Sequence, residues 1–308
     1  MGKLLGRLLA GVLALAPGVA AAQLLTLGVG GQPAAGAAYT GPGDVVSAAK
    51  VWIGLRAYSA AQADGAHKAI ALVRASDSHS CDVFLNTSGN LGVTTACSTG
   101  GENGTAVATW CNATTCSIDV FYDQTGNGFT FTAHTSSNRA VLSFSCLGAL
   151  ACADFTSATA YYESVISATA DGLTTSFVAI RTGNFTAEND ILAIGTAVFY
   201  DAVANKVGAY FGNAATATAS DSAWHAIQIV GNNTSGAIAV DATQTTSLNM
   251  GTSGQLANPF LGSGNSSGSN PLTGKLMEVG MWPVAFTGTQ MTNVCHNQFI
   301  YYGTPTSC

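Results

Sequence analysis

Residues 111–128, CNATTCSIDVFYDQTGNG, combine a short loop between two cysteines, a strand and a tight turn. The centre of this segment, residues 117–122, places Ile118, Val120 and Tyr122 on one face and Ser117, Asp119 and Phe121 on the other, as in a half-buried β-strand. Residues 123–128 follow directly, and their Gly and Asn residues can adopt the positive φ angles of a sharp turn. The segment therefore predicts a loop, a strand and a turn joined without a break.

Short segments of the same kind follow one another along most of the chain, each bounded by Gly, Asn, Asp or Ser. Besides 117–122, strands are predicted at residues 69–74, 83–85, 140–144, 161–166, 176–181, 191–200, 207–211, 224–230, 237–240 and 275–282. Apolar side chains at helical spacing predict a helix near the start, at residues 45–61. Many short strands separated by turns predict one large antiparallel β-sandwich.

The N-terminal segment has the anatomy of a secretory signal peptide. Lys3 and Arg7 precede an apolar run at residues 8–15, and small residues follow before Gln23. The sequence therefore predicts a signal peptide over residues 1–22, a flexible Gly- and Ala-rich leader over 23–38, and a single domain over 39–308. We expect a secreted protein, extracellular or periplasmic, and no membrane span, because no later run is long and apolar enough.

The eight cysteines are even in number and lie in pairs that are close in sequence. In an oxidising compartment the expected disulfides are Cys81–Cys97, Cys111–Cys116, Cys146–Cys152 and Cys295–Cys308. The two middle pairs have few competitors because their spacing is short. A zinc site is disfavoured, since neither a C-x2-C motif nor a histidine cluster accompanies the cysteines.

The composition argues against a nucleic-acid partner. Charged residues make up 8% of the chain and the formal net charge is −6, whereas contacts with a phosphate backbone need a basic surface. A chain rich in Ser, Thr and Asn carries hydroxyl and amide groups on its surface instead. These groups hydrogen-bond well to sugars, so a glycan or polysaccharide is the expected partner.

Residues 111–128 resemble the signature of the α-L-arabinofuranosidase B catalytic domain, of glycoside hydrolase family 54, in their C-x4-C spacing, aliphatic strand and YDQ before a Gly/Asn turn. Residues 41–44, GPGD, and residues 69–82 are similar to further parts of that family. The resemblance implies a concanavalin A-like antiparallel β-sandwich, or jelly roll, with a few short helices and stabilising disulfides.

The C-terminal region is similar to laminin G-like jelly rolls. Residues 223–229, AWHAIQI, resemble their central strand, and residues 272–282, LTGKLMEVGMW, resemble their closing strand. In such domains a short helix follows the closing strand. The resemblance therefore implies a helix at residues 287–299.

The family resemblance also implies two catalytic carboxylates, a Glu on a mid-domain strand and an Asp in a Gly-Gly-Asp-Asn turn. Glycoside hydrolysis needs such a pair, one to protonate the leaving oxygen and one to act as nucleophile or base. The corresponding strand, residues 191–200, has no carboxylate, and Asn265 stands at the place of the Asp. An amide does not donate a proton as a carboxylic acid does. The sequence therefore favours loss of catalysis.

Three other carboxylates are the candidate catalytic residues. Glu278 lies on the predicted closing strand, and Glu188 and Asp190 lie in a polar turn. For Glu278 the alternative is a structural role or a solvated position on an alternating strand. For Glu188 and Asp190 the alternative is a solvated turn.

Asp123, Asn265, Trp224 and Trp282 are the candidate sugar-binding residues, together with Tyr122. Aromatic rings offer flat apolar faces, and Asn or Asp side chains hydrogen-bond to hydroxyls. Each aromatic residue is equally a candidate for the core. Asp123 is also expected to accept backbone N–H bonds in its turn.

Three functions fit these observations. The first is a secreted carbohydrate-recognising β-sandwich that binds extracellular or cell-surface glycan without cleaving it. The second is an active retaining α-L-arabinofuranosidase that releases arabinose from plant-type polysaccharides. The third is a structural adhesive module of a surface or phage-fibre assembly. No cofactor is expected, with a calcium ion near Asp123 as the alternative.

Overall fold

The structure is a computed structural model that describes residues 38–156, 159–164, 174–183, 189–194, 197–202, 205–219, 223–251 and 259–303. The predicted signal peptide and nearly all of the predicted leader lie outside these residues. Glu188 and Cys308 also lie outside them.

The described residues are mainly strands. In chain order the strands are β1 (Val51–Gly54), β2 (Lys68–Arg74), β3 (Ser80–Leu85), β4 (Leu91–Thr95), β5 (Cys116–Phe121), β6 (Phe131–Ala133), β7 (Val141–Leu147), β8 (Leu150–Asp154), β9 (Tyr162–Glu163), β10 (Thr174–Gly183), β11 (Asn189–Ile194), β12 (Ala197–Ala202), β13 (Lys206–Tyr210), β14 (Ala214–Thr218), β15 (His225–Asn232), β16 (Gly236–Val240), β17 (Thr243–Leu248), β18 (Phe260–Leu261) and β19 (Gly274–Trp282). The α-helices are α1 (Pro42–Val45), α2 (Val107–Trp110) and α3 (Gly288–Tyr302).

The strands form an antiparallel β-sandwich. One layer runs in the order β4–β3–β2–β5–β6–β9–β18–β11–β12–β13–β14. The other runs in the order β7–β8–β19–β10–β15–β16–β17, with β1 also paired to β19. The layers join where Ser117 of β5 pairs with Val141 of β7. Apolar side chains from both layers form one core between them.

The closing strand β19 is buried on both faces. Val279 and Met281 point into the core between the layers. Trp282 lies in a second cluster with Trp52 of β1 and Val294 of α3. Helix α3 therefore covers the outer face of this layer. The sequence of a strand that is covered on both faces is a nearly continuous apolar run, without the alternation of apolar and polar residues.

The predicted helix at residues 45–61 is wrong. The chain there forms the short helix α1 and then strand β1, and Ala48 between them has a φ of 63°. All four residues of β1 are buried, because this strand pairs with β19 and lies beneath α3. A strand buried on both faces lacks the period-two pattern, so its apolar residues matched a helical spacing by chance.

The predicted strand at residues 191–200 is two strands. Its two halves belong to β11 and β12, which pair with each other as a hairpin, with Ile194 opposite Ala197. Seven strands were not predicted: β1, β4, β6, β8, β14, β17 and β18. Several of them are only two or three residues long or consist largely of Ala, Thr and Ser, so they carry little hydrophobic signal.

The C-terminal helix is present and slightly longer than predicted. It begins after Thr287, whose side chain accepts a hydrogen bond from the backbone N–H of Gln290, and it ends at Gly303 in the left-handed conformation. No helix among the described residues is long and apolar enough to cross a membrane.

Three of the four expected disulfides are formed: Cys81–Cys97, Cys111–Cys116 and Cys146–Cys152. Cys295 is also disulfide-bonded, while its predicted partner lies outside the described residues. The Cys111–Cys116 bond closes the loop that leads directly into β5. The succession of loop, strand and turn predicted from residues 111–128 is therefore present.

Candidate functional site

Asn265 holds together the loop that follows β18, residues 262–270, here called the Asn265 loop. Its Oδ1 accepts the backbone N–H groups of Ser267 at 2.9 Å and Ser269 at 3.3 Å. Its Nδ2 donates to Ser269 Oγ at 3.0 Å. The amide therefore supplies both the acceptors and the donor that the turn needs, while the residue stays exposed at the surface.

Asp190 lies directly beneath this loop, on β11. It is 3% exposed, and its backbone N–H donates to the carbonyl of Asn270 at 2.8 Å. Gly264 packs so closely on the carboxylate that a Cβ there would lie 2.3 Å from Asp190 Oδ2. The predicted solvated turn is therefore wrong for Asp190. The structure brings Asp190 and the Asn265 loop, both identified from the sequence, into one place.

The other side of the loop is lined by residues that the sequence did not single out as a group. Tyr161 donates its hydroxyl to the carbonyl of Ser266 at 3.1 Å, and its ring stacks on His134 at 5.0 Å between centroids. His134 Nδ1 lies 2.9 Å from Glu163 Oε1. Burial raises the pKa of Tyr161, and the nearby Glu163 raises it further.

Together these residues form one polar site at one end of strands β9, β18 and β11, in the middle of the first layer. It is here called the Asp190 corner: Asp190, His134, Tyr161, Glu163 and the Asn265 loop. Strand β18 lies at its centre, because Phe260 pairs with Glu163 on β9 and with Ala193 on β11. Two strand spacings separate β9 from β11 by about 10 Å. The strands therefore do not place Glu163 and Asp190 side by side, as the two carboxylates of a retaining glycosidase are, at about 5 Å.

Glu278 is not part of this corner. It is fully buried on β19, and four hydrogen bonds occupy its two oxygens. Oε1 accepts from Arg56 Nη2 at 3.1 Å and Gln298 Nε2 at 3.0 Å. Oε2 accepts from Arg56 Nε at 2.5 Å and from the Tyr302 hydroxyl at 2.6 Å. Of the alternatives to catalysis, the solvated position is wrong and the structural role fits, because this carboxylate balances a buried guanidinium.

The position of Glu278 along β19 explains why it lies apart from the Asp190 corner. Gly274 begins the strand near the Asn265 loop, where the N–H of Leu272 donates to the carbonyl of Gly262 at 3.0 Å. Glu278 is four residues further on, which corresponds to about 13 Å of extended strand. The structure therefore brings Asp190 and Asn265 together and leaves Glu278 in the core.

Asp123 holds the turn after β5. Its carboxylate accepts the backbone N–H groups of Trp52 at 3.2 Å, Thr125 at 3.1 Å and Phe129 at 3.2 Å. The Thr125 hydroxyl donates to it as well, at 2.8 Å. These bonds occupy the oxygens that a sugar or a calcium ion would need. Asp123 therefore has the turn-stabilising role expected from its place before a Gly/Asn turn.

The neighbouring Gln124 connects the same turn to residues 54–58. Its Oε1 accepts the N–H of Tyr58 at 2.8 Å, and its Nε2 donates to the carbonyls of Gly54 at 3.0 Å and Arg56 at 3.1 Å. The side chain is buried. The YDQ stretch therefore ties the turn after β5 to the segment that follows β1, which is a structural role.

The aromatic candidates differ in their exposure. Trp282 is fully buried, donates its Nε1–H to the carbonyl of Val46 at 2.9 Å, and packs edge-on against Trp52 and Phe286. A sugar has no access to its ring, so the predicted sugar-binding role is wrong for Trp282. Trp224 is partly buried against the core.

Tyr122 is also partly buried. Its hydroxyl donates to Asp82 Oδ1 at 2.7 Å, and the Lys68 ammonium lies 5.4 Å from the centroid of its ring. Burial, followed by the bond to Asp82, raises the pKa of Tyr122 well above its usual value. Both its ring and its hydroxyl are therefore engaged within the protein.

Among the described residues, two groups of side chains have the spacing of metal ligands. One includes Cys81 and Cys97, which form a disulfide; the other is Asp77, His79 and Glu102. The Arg74 guanidinium occupies its centre. It donates to Asp77 Oδ2 at 2.6 Å and also to Glu102 Oε1. A cation already lies among these carboxylates, so the group fits a surface ion-pair network rather than a metal site.

No protein-family model and no curated protein sequence matches the chain. Several solved structures do. A GH54 α-L-arabinofuranosidase soaked with a cyclic sulfate inhibitor aligns with a TM-score of 0.60 at 17% identity, over 85% of this chain and 66% of that chain. An arabinofuranosidase complexed with arabinofuranosyl-α-1,2-xylobiose aligns with a TM-score of 0.61 at 16% identity, over 85% and 65%.

A mutant GH54 α-L-arabinofuranosidase soaked with 4-nitrophenyl α-L-arabinofuranoside aligns with a TM-score of 0.62 at 18% identity. The present chain spans 65–66% of the length of these three proteins. At such identities the likeness concerns the fold. The resemblance of residues 111–128 is thereby confirmed at the level of architecture: the chain has the β-sandwich fold of the GH54 α-L-arabinofuranosidases.

Proposed function

We propose that the protein is a carbohydrate-recognising β-sandwich that acts outside the cytoplasm and binds glycan without cleaving it. The observation that carries the proposal is the Asp190 corner, where the buried Asp190 supports the exposed Asn265 loop beside the His134–Tyr161 stack and Glu163. Carboxylate, amide and backbone groups hydrogen-bond to sugar hydroxyls, and aromatic rings pack on sugar rings. Proteins with the same fold have been solved with arabinofuranosyl ligands.

The site of action is proposed from two features. The N-terminal segment has the anatomy of a secretory signal peptide, and disulfides persist in oxidising compartments. Three disulfides are formed among the described residues. An extracellular or periplasmic location would place the protein where it meets polysaccharides.

Binding is favoured over cleavage by the state of two residues. Asn265, at the position where the family resemblance implies an acid, uses its amide to hold its own loop. Glu278 has both oxygens occupied by Arg56, Gln298 and Tyr302. An amide is not a proton donor for a leaving group, and a carboxylate with both oxygens occupied is not available to attack a sugar.

The second candidate function is an active α-L-arabinofuranosidase, and the burial of Asp190 favours it. A carboxyl group shielded from water beside a polar loop is the type of group that glycosidases use as a general acid. In that case Asp190 would need a second carboxylate at about 5 Å, closer than the strands place Glu163. Glu188, two residues earlier in the chain, is the nearest in sequence.

One experiment separates these functions. Purified mature protein is tested for hydrolysis of 4-nitrophenyl α-L-arabinofuranoside and, in parallel, for binding to a glycan array, as wild type and as Asp190→Asn. Asp64→Asn, an exposed carboxylate in a distant loop, is the matched control, and thermal melts show that each variant is folded.

We expect no turnover, and saturable glycan binding that is lost in Asp190→Asn and kept in Asp64→Asn. Turnover that disappears in Asp190→Asn would establish the enzyme instead. If wild type shows neither turnover nor binding, the proposal fails, and a structural adhesive module becomes the better description.

A further inference from the structure

A cavity of about 240 Å³ lies at a different part of the molecule. It opens between β4, the β7–β8 hairpin, helix α2 and the end of helix α3. Apolar side chains line much of it, among them Leu55, Leu91 and Val107. It shares no lining residue with the Asp190 corner. The volume is below the roughly 300–1,000 Å³ of sites for drug-sized ligands, so the cavity suits one small ring rather than an extended chain.

Two amide side chains give the cavity its polar character. Asn86 Oδ1 accepts the backbone N–H groups of Ser88 at 2.9 Å and Asn90 at 3.1 Å. Asn90 Oδ1 accepts the hydroxyl of Tyr301. The described residues supply no acceptor for the Nδ2 groups of Asn86 and Asn90. The free hydrogen-bonding capacity of these amides is therefore mainly that of the Nδ2 donors, with one lone pair left on Asn90 Oδ1. A ligand whose hydroxyl oxygens accept and can also donate matches it.

The aromatic residues of the cavity have two different roles. Phe144, on β7, is 39% exposed and lines the opening. Tyr301 and Tyr302 are buried at the back, and their hydroxyls are already bonded to Asn90 and Glu278. The back wall is therefore fixed, while Phe144 presents an open apolar face.

The described lining of the cavity contains no charged side chain. A charged ligand would lose its hydration without gaining a counter-charge, so the lining selects against it. A neutral ring with oxygen acceptors and an apolar face meets all three features. We propose that this cavity binds a single neutral sugar unit, with the ring packed on Phe144 and its oxygens accepting from Asn86 and Asn90.

This site goes beyond the proposed function and does not depend on it, since its residues are separate from the Asp190 corner. The test is saturation-transfer NMR and calorimetry with three neutral probes: methyl α-L-arabinofuranoside, methyl β-D-xylopyranoside and methyl β-D-galactopyranoside. Phe144→Ala removes the stacking face, and Ala108→Trp places a large ring at the exposed edge of the cavity. Tyr210→Ala is the matched control, because Tyr210 is an aromatic residue of similar exposure, 41%, that does not line the cavity.

We expect at least one probe to bind wild type and Tyr210→Ala equally, and its affinity to fall by about tenfold or more in Phe144→Ala and Ala108→Trp. Asp190→Asn should leave this binding unchanged. The proposal is overturned if no probe binds wild type, or if the two cavity variants bind as wild type does. Binding of toluene without binding of any sugar would also overturn it. Probe binding that Asp190→Asn alone abolishes would place the sugar in the corner and not in the cavity.

Discussion

Arg56 and Glu278 form an ion pair from which water is excluded, with both side chains fully buried and Arg56 Nε 2.5 Å from Glu278 Oε2. The rings of Tyr301 and Tyr302 lie 4.8 Å and 5.0 Å from the guanidinium carbon. The pair joins the loop after β1 to the centre of β19. It therefore links the first and last described strands.

Removal of one partner should be costly. We expect Glu278→Ala to lower the free energy of unfolding by about 3–5 kcal/mol, because it leaves the Arg56 guanidinium buried without a counter-charge. Urea denaturation of wild type and variant measures the effect. The double variant Arg56→Met with Glu278→Leu should be less destabilised than Glu278→Ala, since it leaves no unpaired charge. A single variant as stable as wild type would contradict this account.

Gln124 should matter for stability rather than for ligand binding. Gln124→Ala leaves the buried backbone groups that it now bonds, on Tyr58 and Gly54, without partners. We expect a loss of about 2–4 kcal/mol in the free energy of unfolding. The control is Gln244→Ala, an exposed glutamine on β17, for which we expect a change within about 0.5 kcal/mol. Equal effects in the two variants would rule out a specific role for Gln124.

Gly280 has no room for a side chain. A Cβ at this position would lie 2.4 Å from a ring carbon of Trp52, and the backbone there is packed beneath α3. We expect Gly280→Ala to destabilise the fold by about 1–3 kcal/mol through overpacking. Gly100→Ala, where nothing lies within 4 Å of the added Cβ, serves as the comparison in the same urea titration. Unchanged stability in Gly280→Ala would mean that Trp52 can move aside.

The pKa of Asp77, measured by acid titration, should depend on its ion pair with Arg74. Hydrogen bonds from Arg74 hold the pKa of Asp77 down, from 3.8 to about 2. Because the pKa of Asp77 is lower in the folded state, the stability that its bond with Arg74 contributes is fully present above the unfolded pKa. It is lost as the pH falls through the folded pKa. The window therefore runs from about pH 4 down to about pH 2.

Carbon-13 NMR of the Asp77 carboxyl group follows this directly. We expect a midpoint near 2 in wild type and one close to the usual aspartate value of about 3.9 in Arg74→Gln. His134→Gln, in a different ion pair, should leave the Asp77 midpoint unchanged. The same midpoint in wild type and Arg74→Gln would show that Arg74 does not set it.

The sequence predicted the parts of the fold that depend on local chemistry. Strand β5, its cysteine-closed loop and its Asp123 turn lie within residues 111–128, so their pattern is contiguous. Helix α3 has a Thr cap and a Gly stop at its ends. Strand β1 and the β11–β12 hairpin were missed because their burial results from pairing and packing with distant segments, which leaves no alternation in the sequence.

The site was predicted only in part for the same reason. Asp190 and Asn265 were identified separately, but their meeting depends on β18 inserting between β9 and β11. His134 and Tyr161 join them through that same strand order. A single sequence carries no signal for such an order. For Glu278 the sequence left a catalytic, a structural and a solvated role open, because its guanidinium partner, Arg56, lies 222 positions away in the chain.

The pairing of β1 with β19 also determines when the protein can fold. Val51 lies opposite Met281, so the second layer stays incomplete until Met281 has left the ribosome. The apolar side chains of β1 therefore stay uncovered until β19 has been synthesised. Pairing over such a sequence separation is slow, in the range of about milliseconds to seconds for β-rich domains. The closure of the second layer is therefore expected to be a late step in folding.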